Sequence, residues 1–350
     1  MPHTGRHNLA VPIRNEVELS LMPDLSPCEI EFSGARIEAW PLRRPFVISR
    51  GTKTEARVVV VELTARGKHG RGEAVPYSRY GETPEAAISL IDQPRHLDRD
   101  ALRQTMPPGA ARNALDCALW DLEAKIAGRP VHDLAGLAVP SAAQTCFTIS
   151  LGTPEAMARD AAEVPHLTLL KLKLAGDGDA ERMRAVREAR PDSRLVADAN
   201  ESWTPETTPR LLAVAAQSGF ELIEQPLPAD ADHILAAIPR PLPVCADESV
   251  HTTVDLAALK DRYDAVNIKL DKTGGLTEAI AMRARARELD FQIMVGSMVA
   301  TSLAAAPAML LADGAEWIDL DGPLLLARDR PSALRIENGW IAPPVPALWG

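Results

Sequence analysis

Ionisable and polar side chains recur at the ends of apolar segments throughout the second half of the chain, about 22 to 28 residues apart. The set comprises Lys171 with Lys173, Asp198, Glu224, Asp247, Lys269, Ser297, and Asp319 with Asp321. This interval suits one β-strand followed by one α-helix. In a barrel of such units the carboxyl ends of all strands meet at one mouth, so these side chains are expected to share one site.

Three carboxylates in this set come from three consecutive segments: Asp198, Glu224 and Asp247. An all-oxygen ligand set favours a hard cation, and three carboxylates that leave open coordination positions suit Mg²⁺. Crowded carboxylates also repel one another, and a divalent cation would neutralise them. The alternative reading is that Asp198 and Asp247 pair with Lys171 and Lys269, and that no metal binds.

The lysines of the set suggest proton abstraction next to a carboxylate. Lys171 and Lys173 are two residues apart, so in a strand they point to the same face. Lys269 comes four strands later, across the mouth of a barrel. A cation would hold the substrate carboxylate and stabilise an enediolate while a neutral lysine takes the α-proton. One base on each face gives racemisation or epimerisation, whereas one base alone gives elimination.

Apolar strand-like segments alternate with helical segments from about residue 145 onward. The eight strand candidates are TCFTIS, LTLLKLKLA, SRLVADAN, FELIEQPL, LPVCADES, AVNIKLDK, FQIMVGSM and EWIDLDG. This alternation indicates parallel strands joined by helical crossovers. An α/β fold with a (β/α)8 barrel is therefore predicted, and a doubly wound open sheet is its rival.

The first part of the chain has a different organisation. Strand signals over residues 29–65 flank a turn-rich stretch, PLRRPFVISRGTKTE, at residues 41–55. Helical segments follow, and the clearer one, AARNALDCALWDLEAKIA, ends at Gly128. An α+β unit is predicted here, and residues 1–28 are interpreted as an N-terminal extension.

Composition narrows the class of protein. The 350 residues carry a net charge of −10, and only 4% are aromatic, which argues against a nucleic-acid binder. No apolar run is long enough to predict a membrane span, and no secretory signal follows the first Met. The four cysteines are scattered without a CxxC pair, which suits a reducing cytoplasm. A cytoplasmic enzyme without nucleic-acid or membrane partners is expected.

Several motifs at barrel spacing resemble one family. They are KLK at residues 171–173, DAN at 198–200, EQP at 224–226, DES at 247–249 and NIKLDKTGG at 267–275. From about residue 30 onward, the chain resembles the enolase superfamily and, within it, the muconate-lactonising subgroup. The resemblance implies a modified TIM barrel with a smaller N-terminal α+β capping domain.

The resemblance also implies roles for individual residues. One Mg²⁺ per subunit would be bound by Asp198, Glu224 and Asp247. The two acid/base residues would be Lys173 and Lys269. Lys171 would steady the carboxylate of the substrate.

Two further segments resemble the dipeptide epimerases of this subgroup, especially those acting on L-Ala-D/L-Glu: IDLDG and PFVISRGTKTEAR. The resemblance implies that Asp319 and Asp321 receive the α-ammonium of a dipeptide. Arg50 would pair with the glutamate side chain. The remaining positions that match the substrate lining are Thr148, Ser297 and Val299. Two-base epimerisation of L-Ala-D-Glu to L-Ala-L-Glu, in the recycling of murein peptides, is the expected function.

The domain boundaries expected on this basis are a capping domain at residues 29–140, a barrel at 141–330, and a C-terminal segment at 331–350 that returns to the capping domain. The expected partner is a small dipeptide, and assembly as a homo-oligomer is left open.

Tyr77 and Tyr80 are interpreted as residues of the capping loop that cover the site, and His251 is interpreted as structural. The Lys272–Gly275 stretch is read as a strand-to-helix turn.

Two other functions remain open from the sequence. An N-acylamino acid racemase or 2-succinylbenzoate synthase shares the KxK pattern and the opposing lysine. The Asp319 and Asp321 pair argues against both, because their substrates carry no free ammonium group. The second alternative, a non-catalytic barrel scaffold, does not explain two lysines and three carboxylates at strand ends.

Overall fold

The computed structural model describes residues 29–93 and 96–350. The predicted extension at residues 1–28 lies outside the described residues. Three antiparallel strands open the described chain: β1 (Glu31–Ile48), β2 (Gly51–Ala65) and β3 (Lys68–Ala74), in that order in the sheet. The first two form a long hairpin that reaches the mouth of the barrel described below.

The turn-rich reading of residues 41–55 is wrong for most of that stretch. β1 continues to Ile48 with an irregularity between Pro41 and Phe46, and β2 begins at Gly51, so the turn is short. Contacts with the barrel hold this arm extended: the amide of Leu151 donates to Val47 O (3.0 Å), and Phe46 is buried. Turn-forming composition is therefore overridden by tertiary packing.

Four helices complete the N-terminal part: α1 (Pro84–Ile91), α2 (Arg99–Thr105), α3 (Ala110–Ala127) and α4 (Val131–Leu134). The helix predicted up to Gly128 is α3, and Gly128 adopts a left-handed conformation at its end. β3 packs so closely on α3 that a Cβ on Gly72 would lie 2.0 Å from Ala114 O. The sheet therefore rests on α3 through glycine backbone.

Eight parallel strands follow in one sheet, each hydrogen-bonded to the next along the chain. They are β5 (Phe147–Ile149), β6 (Leu169–Lys173), β7 (Arg194–Asp198), β8 (Phe220–Glu224), β9 (Val244–Ala246), β10 (Ala265–Lys269), β11 (Gln292–Gly296) and β12 (Trp317–Asp319). The Cys146 amide, next to β5, donates to Ile318 O of β12 at 2.7 Å. The sheet thus curls into a nearly closed barrel, which confirms the predicted fold and excludes the open sheet.

Helices surround the barrel between its strands: α5 (Pro154–Ala162), α6 (Asp179–Ala189), α7 (Thr208–Gln217), α8 (Leu256–Leu259), α9 (Leu270–Thr273), α10 (Leu276–Glu288), α11 (Ser302–Ala308) and α12 (Gly322–Leu325). Between β8 and β9 a 3-10 helix at Asp232–Ala236 stands in place of an α-helix. None of the helices within the described residues is long and apolar enough to cross a membrane.

Short strands and the carboxyl terminus connect the barrel to its surroundings. β4 (Ala143–Gln144), β13 (Ile336–Glu337) and β14 (Trp340–Ile341) form a small separate sheet. Beyond it, the Trp349 indole donates to Cys117 O of α3 (3.0 Å), and the Gly350 amide donates to Asp121 (2.7 Å). The chain end therefore contacts the N-terminal part, while the domain boundaries given above remain predictions.

Candidate active site

A layer of apolar side chains fills the inside of the barrel below its mouth. The layer consists of Cys146, Leu169, Val196, Leu222, Cys245, Ala265, Met294 and Trp317. Alternate residues of a strand face the same side, so the residues two positions further on also point inward. They are Thr148, Lys171, Asp198, Glu224, Asp247, Asn267, Gly296 and Asp319. The strand period thus stacks a polar layer directly on an apolar floor.

The three carboxylates expected to bind a cation lie in this polar layer on adjacent strands. Asp198 and Glu224 are fully buried, and Asp247 is 2% exposed. Lys173 Nζ lies 2.5 Å from Asp198 Oδ2, and Lys269 Nζ lies 2.6 Å from Asp247 Oδ2. Each aspartate therefore has an ammonium partner of its own.

Among residues 29–93 and 96–350, no three or more His, Cys, Asp or Glu side chains lie close enough together to form a ready-made metal site. The donor types nevertheless fit a hard cation, since all three side chains offer oxygen. Glu224 Oε2 accepts no hydrogen bond, although Lys171 Nζ lies 2.5 Å from it. Buried carboxylates of this kind are expected to exchange an ammonium contact for a cation.

The pKa values of the three carboxyl groups are shifted in different directions by their surroundings. Burial acts to raise the pKa of Asp198, but the ammonium groups of Lys173 and Lys171 lower it to about 2. The pKa of Asp247 also falls, because Lys269 and Lys272 outweigh its burial. Burial and the charge of Asp198 instead raise the pKa of Glu224. Ionisation of Glu224 is therefore disfavoured by its burial and by the negative charge of Asp198 beside it.

Glu224 is oriented from the far side by Asn267 of β10, whose amide donates to Glu224 Oε1 at 2.7 Å. The neighbouring strand leaves room for that amide at Gly296, where a Cβ would lie 2.5 Å from Asn267 Oδ1. Any larger residue than glycine at position 296 of β11 would therefore displace the Asn267 amide that orients Glu224.

Asp247 is held by two residues that the sequence reading left aside. Lys272 Nζ contacts Asp247 Oδ1 at 2.5 Å and donates to the carbonyls of Asp247 and Asn267. Gln225 Oε1 accepts the amide of Asp247 at 2.8 Å. Lys272 is the first residue of the stretch that was predicted to form a strand-to-helix turn. Its fully buried ammonium group fixes Asp247.

The lysines expected to act on the substrate lie on strands half a turn of the barrel apart. Lys171 and Lys173 come from β6, the second strand, and Lys269 from β10, the sixth. Lys171 is 1% exposed and contacts Asp319 Oδ2 at 2.6 Å. Burial acts to lower the pKa of Lys171, but Asp319 and Glu224 raise it well above its ordinary value. Lys171 is therefore a fixed cation.

The two aspartates at the end of β12, Asp319 within the strand and Asp321 just after it, have separate partners. Asp319 contacts Lys171, whereas Asp321 Oδ2 accepts the Thr148 amide at 2.6 Å. Burial and the charge of Asp319 raise the pKa of Asp321 to about 7. Asp319 Oδ1 is buried and has no hydrogen-bond partner among the described residues. This pair can receive one further cationic group.

The hairpin tip between β1 and β2 covers this mouth through Arg50. Its guanidinium donates to Glu248 (2.8 Å), to Asn200 O (2.9 Å) and to the Tyr77 hydroxyl (3.1 Å). A fourth contact reaches Glu201 at 3.3 Å. Arg50 thus ties the hairpin to the loops after β7 and β9.

One cavity is lined by ten of the twelve predicted site residues: Arg50, Thr148, Lys171, Lys173, Asp247, Lys269, Ser297, Val299, Asp319 and Asp321. Asp198 and Glu224 lie beneath it, behind the lysines that contact them. Tyr77 lines the cavity as expected, whereas Tyr80 and His251 pack edge to face beside it. The sequence reading missed Lys53 in the cavity wall, and only its proximity to Arg50 in the hairpin motif could have drawn attention to it.

Family models match most of the chain. Residues 34–136 match the mandelate racemase / muconate lactonizing enzyme N-terminal domain, and residues 155–347 match the enolase C-terminal domain-like family. This chain belongs to the enolase superfamily. The membership predicted from the KLK, DAN, EQP, DES and NIKLDKTGG motifs is thereby confirmed.

Similar proteins within the enolase superfamily are named as epimerases and racemases. The L-Ala-D/L-Glu epimerase of Escherichia coli (strain K12) is 48% identical over 309 residues, which span 86% of this chain and 96% of the relative. The N-acetyl-D-glutamate racemase of a Pseudoalteromonas species is 42% identical and covers 84% of this chain and 95% of its own length.

A solved structure of an enolase family member from Agrobacterium tumefaciens, described as homologous to dipeptide epimerases, superposes with a TM-score of 0.89 at 49% identity. The match covers 92% of this chain and 99% of that protein, which was solved with bound sodium and L-Ala-L-Glu.

Proposed function

We propose that this protein is a Mg²⁺-dependent isomerase that interconverts L-Ala-D-Glu and L-Ala-L-Glu by moving the α-proton of the glutamate residue. The observation that carries the proposal is a barrel mouth with lysines on opposite strands, buried carboxylates between them and an aspartate pair at one side. The 48% identity to the Escherichia coli enzyme supports the same reaction.

The cation would be held by Asp198, Glu224 and Asp247. When bound, it would hold the substrate carboxylate and stabilise the negative charge that develops as the α-proton leaves. Support comes from the oxygen-only donors and from the sodium ion bound with L-Ala-L-Glu in the Agrobacterium relative.

Lys173 and Lys269 would exchange the α-proton from opposite sides. One lysine accepts the proton from its face, and the conjugate acid of the other donates a proton to the opposite face, which inverts the carbon. A lysine accepts a proton only when it is neutral, so it must first leave its aspartate partner and lose its own proton. Lys171 remains charged through its contacts with Asp319 and Glu224 and would attract the substrate carboxylate.

The free α-ammonium of the dipeptide would bind at Asp319 and Asp321. Thr148 fixes Asp321 through its backbone amide, so one carboxylate oxygen stays oriented toward β5. Ser297 and Val299, after β11, would line the space between the ammonium and the reacting carbon.

The 42% identity to an N-acetyl-D-glutamate racemase favours a second candidate, racemisation of N-acylamino acids. Such substrates carry no free ammonium, so they would leave Asp319 and Asp321 without a cationic partner. The two candidates share the proton chemistry and differ only in this recognition.

The proposal is tested by incubating the purified protein with Mg²⁺ in deuterated water. L-Ala-D-Glu, other free dipeptides and N-acetyl-glutamate are offered separately. Mass spectrometry and chiral analysis should find deuterium and inversion at the glutamate α-carbon of L-Ala-D-Glu. Faster turnover of N-acetyl-glutamate would replace this proposal by the second candidate.

The proposed setting is the cytoplasm, where L-Ala-D-Glu released from murein peptides would become L-Ala-L-Glu. The product is an all-L dipeptide, which ordinary peptidases hydrolyse. A strain that lacks the gene is expected to accumulate L-Ala-D-Glu when it must grow on murein dipeptide, and no accumulation would contradict the recycling role.

A further inference from the structure

Glu73 is a buried carboxylate of the N-terminal part that the proposed chemistry does not use. It lies near the end of β3 and is 1% exposed. Its side chain reaches the barrel, where Oε1 accepts the backbone amide of Thr301 at 2.9 Å and Oε2 accepts the Thr301 hydroxyl. Thr301 caps α11, because its hydroxyl also accepts the amide of Leu303 at 3.2 Å. A carboxylate of the N-terminal part thus fixes the start of a barrel helix.

Arg330 holds Glu73 in this orientation. Its guanidinium donates to Glu73 Oε2 at 2.8 Å and to Glu38 of β1 at 2.7 Å. Burial raises the pKa of Glu73, although the charge of Arg330 and the hydrogen bonds from Thr301 act to lower it. Apolar side chains of similar volume often give at least as much stability as a buried ion pair, so stability alone does not account for this one. Directed hydrogen bonds to a charged group do, however, define where Thr301 lies.

The loop that ends at Thr301 lines the active-site cavity. Residues 297–299 follow β11 and belong to the cavity wall, and Thr301 comes two positions after the last of them. The same loop packs against the backbone directly after Asp321, since a Cβ on Gly322 would lie 2.9 Å from the amide nitrogen of Ala300. A displacement of Thr301 would therefore move the lining residues and disturb the backbone next to Asp321.

A second contact of the same chemistry, between Asp116 and Thr277, provides a comparison within the molecule. Asp116 of α3 is 2% exposed and accepts both the amide of Thr277, at 3.0 Å, and its hydroxyl. Thr277 is the second residue of α10, so this contact also ties the N-terminal part to the start of a barrel helix. The preceding residue of the cavity wall is Lys269, and α9 and Gly274–Gly275 lie between them. Of the two contacts, the one made by Glu73 adjoins the cavity.

We infer that Glu73 is a positioning residue for the reaction, which sets the loop after β11 against the substrate through Thr301. The inference rests on the proposed function and gives the N-terminal part a role in substrate binding from beneath the loop. That loop would line the space between the ammonium and the reacting carbon, so its displacement should weaken binding. Lys173 and Lys269 have partners of their own in the barrel and should keep their proton chemistry.

Glu73→Gln and Asp116→Asn are the matched variants that test this role. Each keeps the size of the side chain and replaces one carboxylate oxygen by an NH₂ group. At position 73 this group would face either the Thr301 amide or Arg330, and both are donors. At position 116 it would disturb Thr277 in the same way, but away from the cavity wall.

Steady-state kinetics with Mg²⁺ and L-Ala-D-Glu should separate the two variants. Glu73→Gln should raise KM roughly tenfold, as expected when a hydrogen bond to a charged group is lost, while kcat per folded molecule stays within about twofold. Asp116→Asn should change KM by less than about twofold. Thermal melts give the folded fraction of each variant, because a loss of stability alone lowers apparent kcat and leaves KM unchanged.

Thr301→Val provides a second variant if Glu73→Gln does not fold. It removes the hydroxyl that Glu73 accepts, keeps the branched shape of the side chain and leaves the ion pair with Arg330 in place. The same rise in KM without a matching loss of kcat is expected. An unchanged KM in the folded variants, or an equal rise in KM in Asp116→Asn, would overturn the inference.

Hydrogen exchange in the absence of substrate separates this inference from the proposed function. In Glu73→Gln the backbone amides of residues 297–301 should exchange several-fold faster than in the wild type, since the loop loses its anchor. Asp116→Asn should leave exchange in this loop unchanged. A wild type that epimerises no dipeptide would reject the proposed function, whereas unchanged exchange of residues 297–301 in Glu73→Gln would reject the role of Glu73.

Discussion

The mouth of the barrel and the hairpin tip above it both concentrate charge, but they do so in opposite ways. At the mouth, Asp198 and Asp247 each have a lysine within 2.6 Å, and all of these groups are buried. At the hairpin tip, Lys53 has no anionic partner among the described residues, and Arg50 is used to fasten the loop. The charges of the mouth are therefore paired with one another, whereas the tip holds one lysine that no carboxylate among the described residues contacts.

The difference has a structural origin. The groups of the mouth stand at the ends of strands that are paired on both sides, and other buried side chains hold them in place, as Asn267 holds Glu224 and Lys272 holds Asp247. The hairpin tip stands on a two-stranded arm that reaches the barrel through a few contacts. Changes at the tip are therefore expected to disturb the groups of the mouth less than changes on the barrel strands do. Damage at the mouth should stop the reaction for every substrate.

The largest effect is expected at the proposed cation ligands. Asp198→Asn, Glu224→Gln or Asp247→Asn should each lower kcat by on the order of a thousandfold for all dipeptides, since charge stabilisation by a cation contributes several kcal/mol. Chelation of the wild type should have the same effect, and Mg²⁺ should reverse it. Calorimetric titration with Mg²⁺ gives a readout independent of activity.

Asp261→Asn, at an exposed position, is the matched control for these substitutions. It should change neither Mg²⁺ affinity nor kcat. Full activity after exhaustive chelation would contradict the assignment of a cation to this site.

A smaller effect, confined to substrates with a free ammonium, is expected at the edge of the mouth. Asp321→Asn keeps an oxygen for the Thr148 amide but removes a charge, so kcat/KM for L-Ala-D-Glu should fall about ten- to a hundredfold. N-acetyl-L-Ala-D-Glu should be a poor substrate of the wild type and should be affected little by the variant. Equal steady-state rates with the free and the acetylated dipeptide would refute the ammonium role.

The smallest effect on catalysis is expected from a change in the packing of the N-terminal part. Gly72→Ala brings a Cβ to 2.0 Å from Ala114 O, and overpacking of this kind costs about 1–3 kcal/mol. The melting temperature should fall while kcat per folded molecule stays within about twofold. Gly152→Ala, whose nearest contact would be 3.4 Å, serves as the control. A loss of kcat without a loss of stability would mean that the two regions are not separable in this way.

The same contrast explains what the sequence could and could not predict. The barrel and the convergence of Lys173, Lys269 and the carboxylates followed from strands of period two at regular spacing, a local pattern. The extended arm at residues 41–55 did not, because packing against the barrel overrides its turn-like composition. The close approach of the Asn267 side chain to Gly296 was equally hidden, since it depends on the register of β10 and β11, in which Gly296 lies opposite Lys269.

The central claim is that Lys173 and Lys269 exchange the α-proton from opposite faces, and isotope exchange with each diastereomer tests it most directly. L-Ala-D-Glu and L-Ala-L-Glu are incubated separately in deuterated water with Lys173→Ala and with Lys269→Ala. Each variant should lose epimerisation by about 10²–10⁴-fold yet still exchange the α-proton of one diastereomer, a different one in each case. Wild-type epimerisation by either variant, or exchange of the same diastereomer by both, would contradict the account.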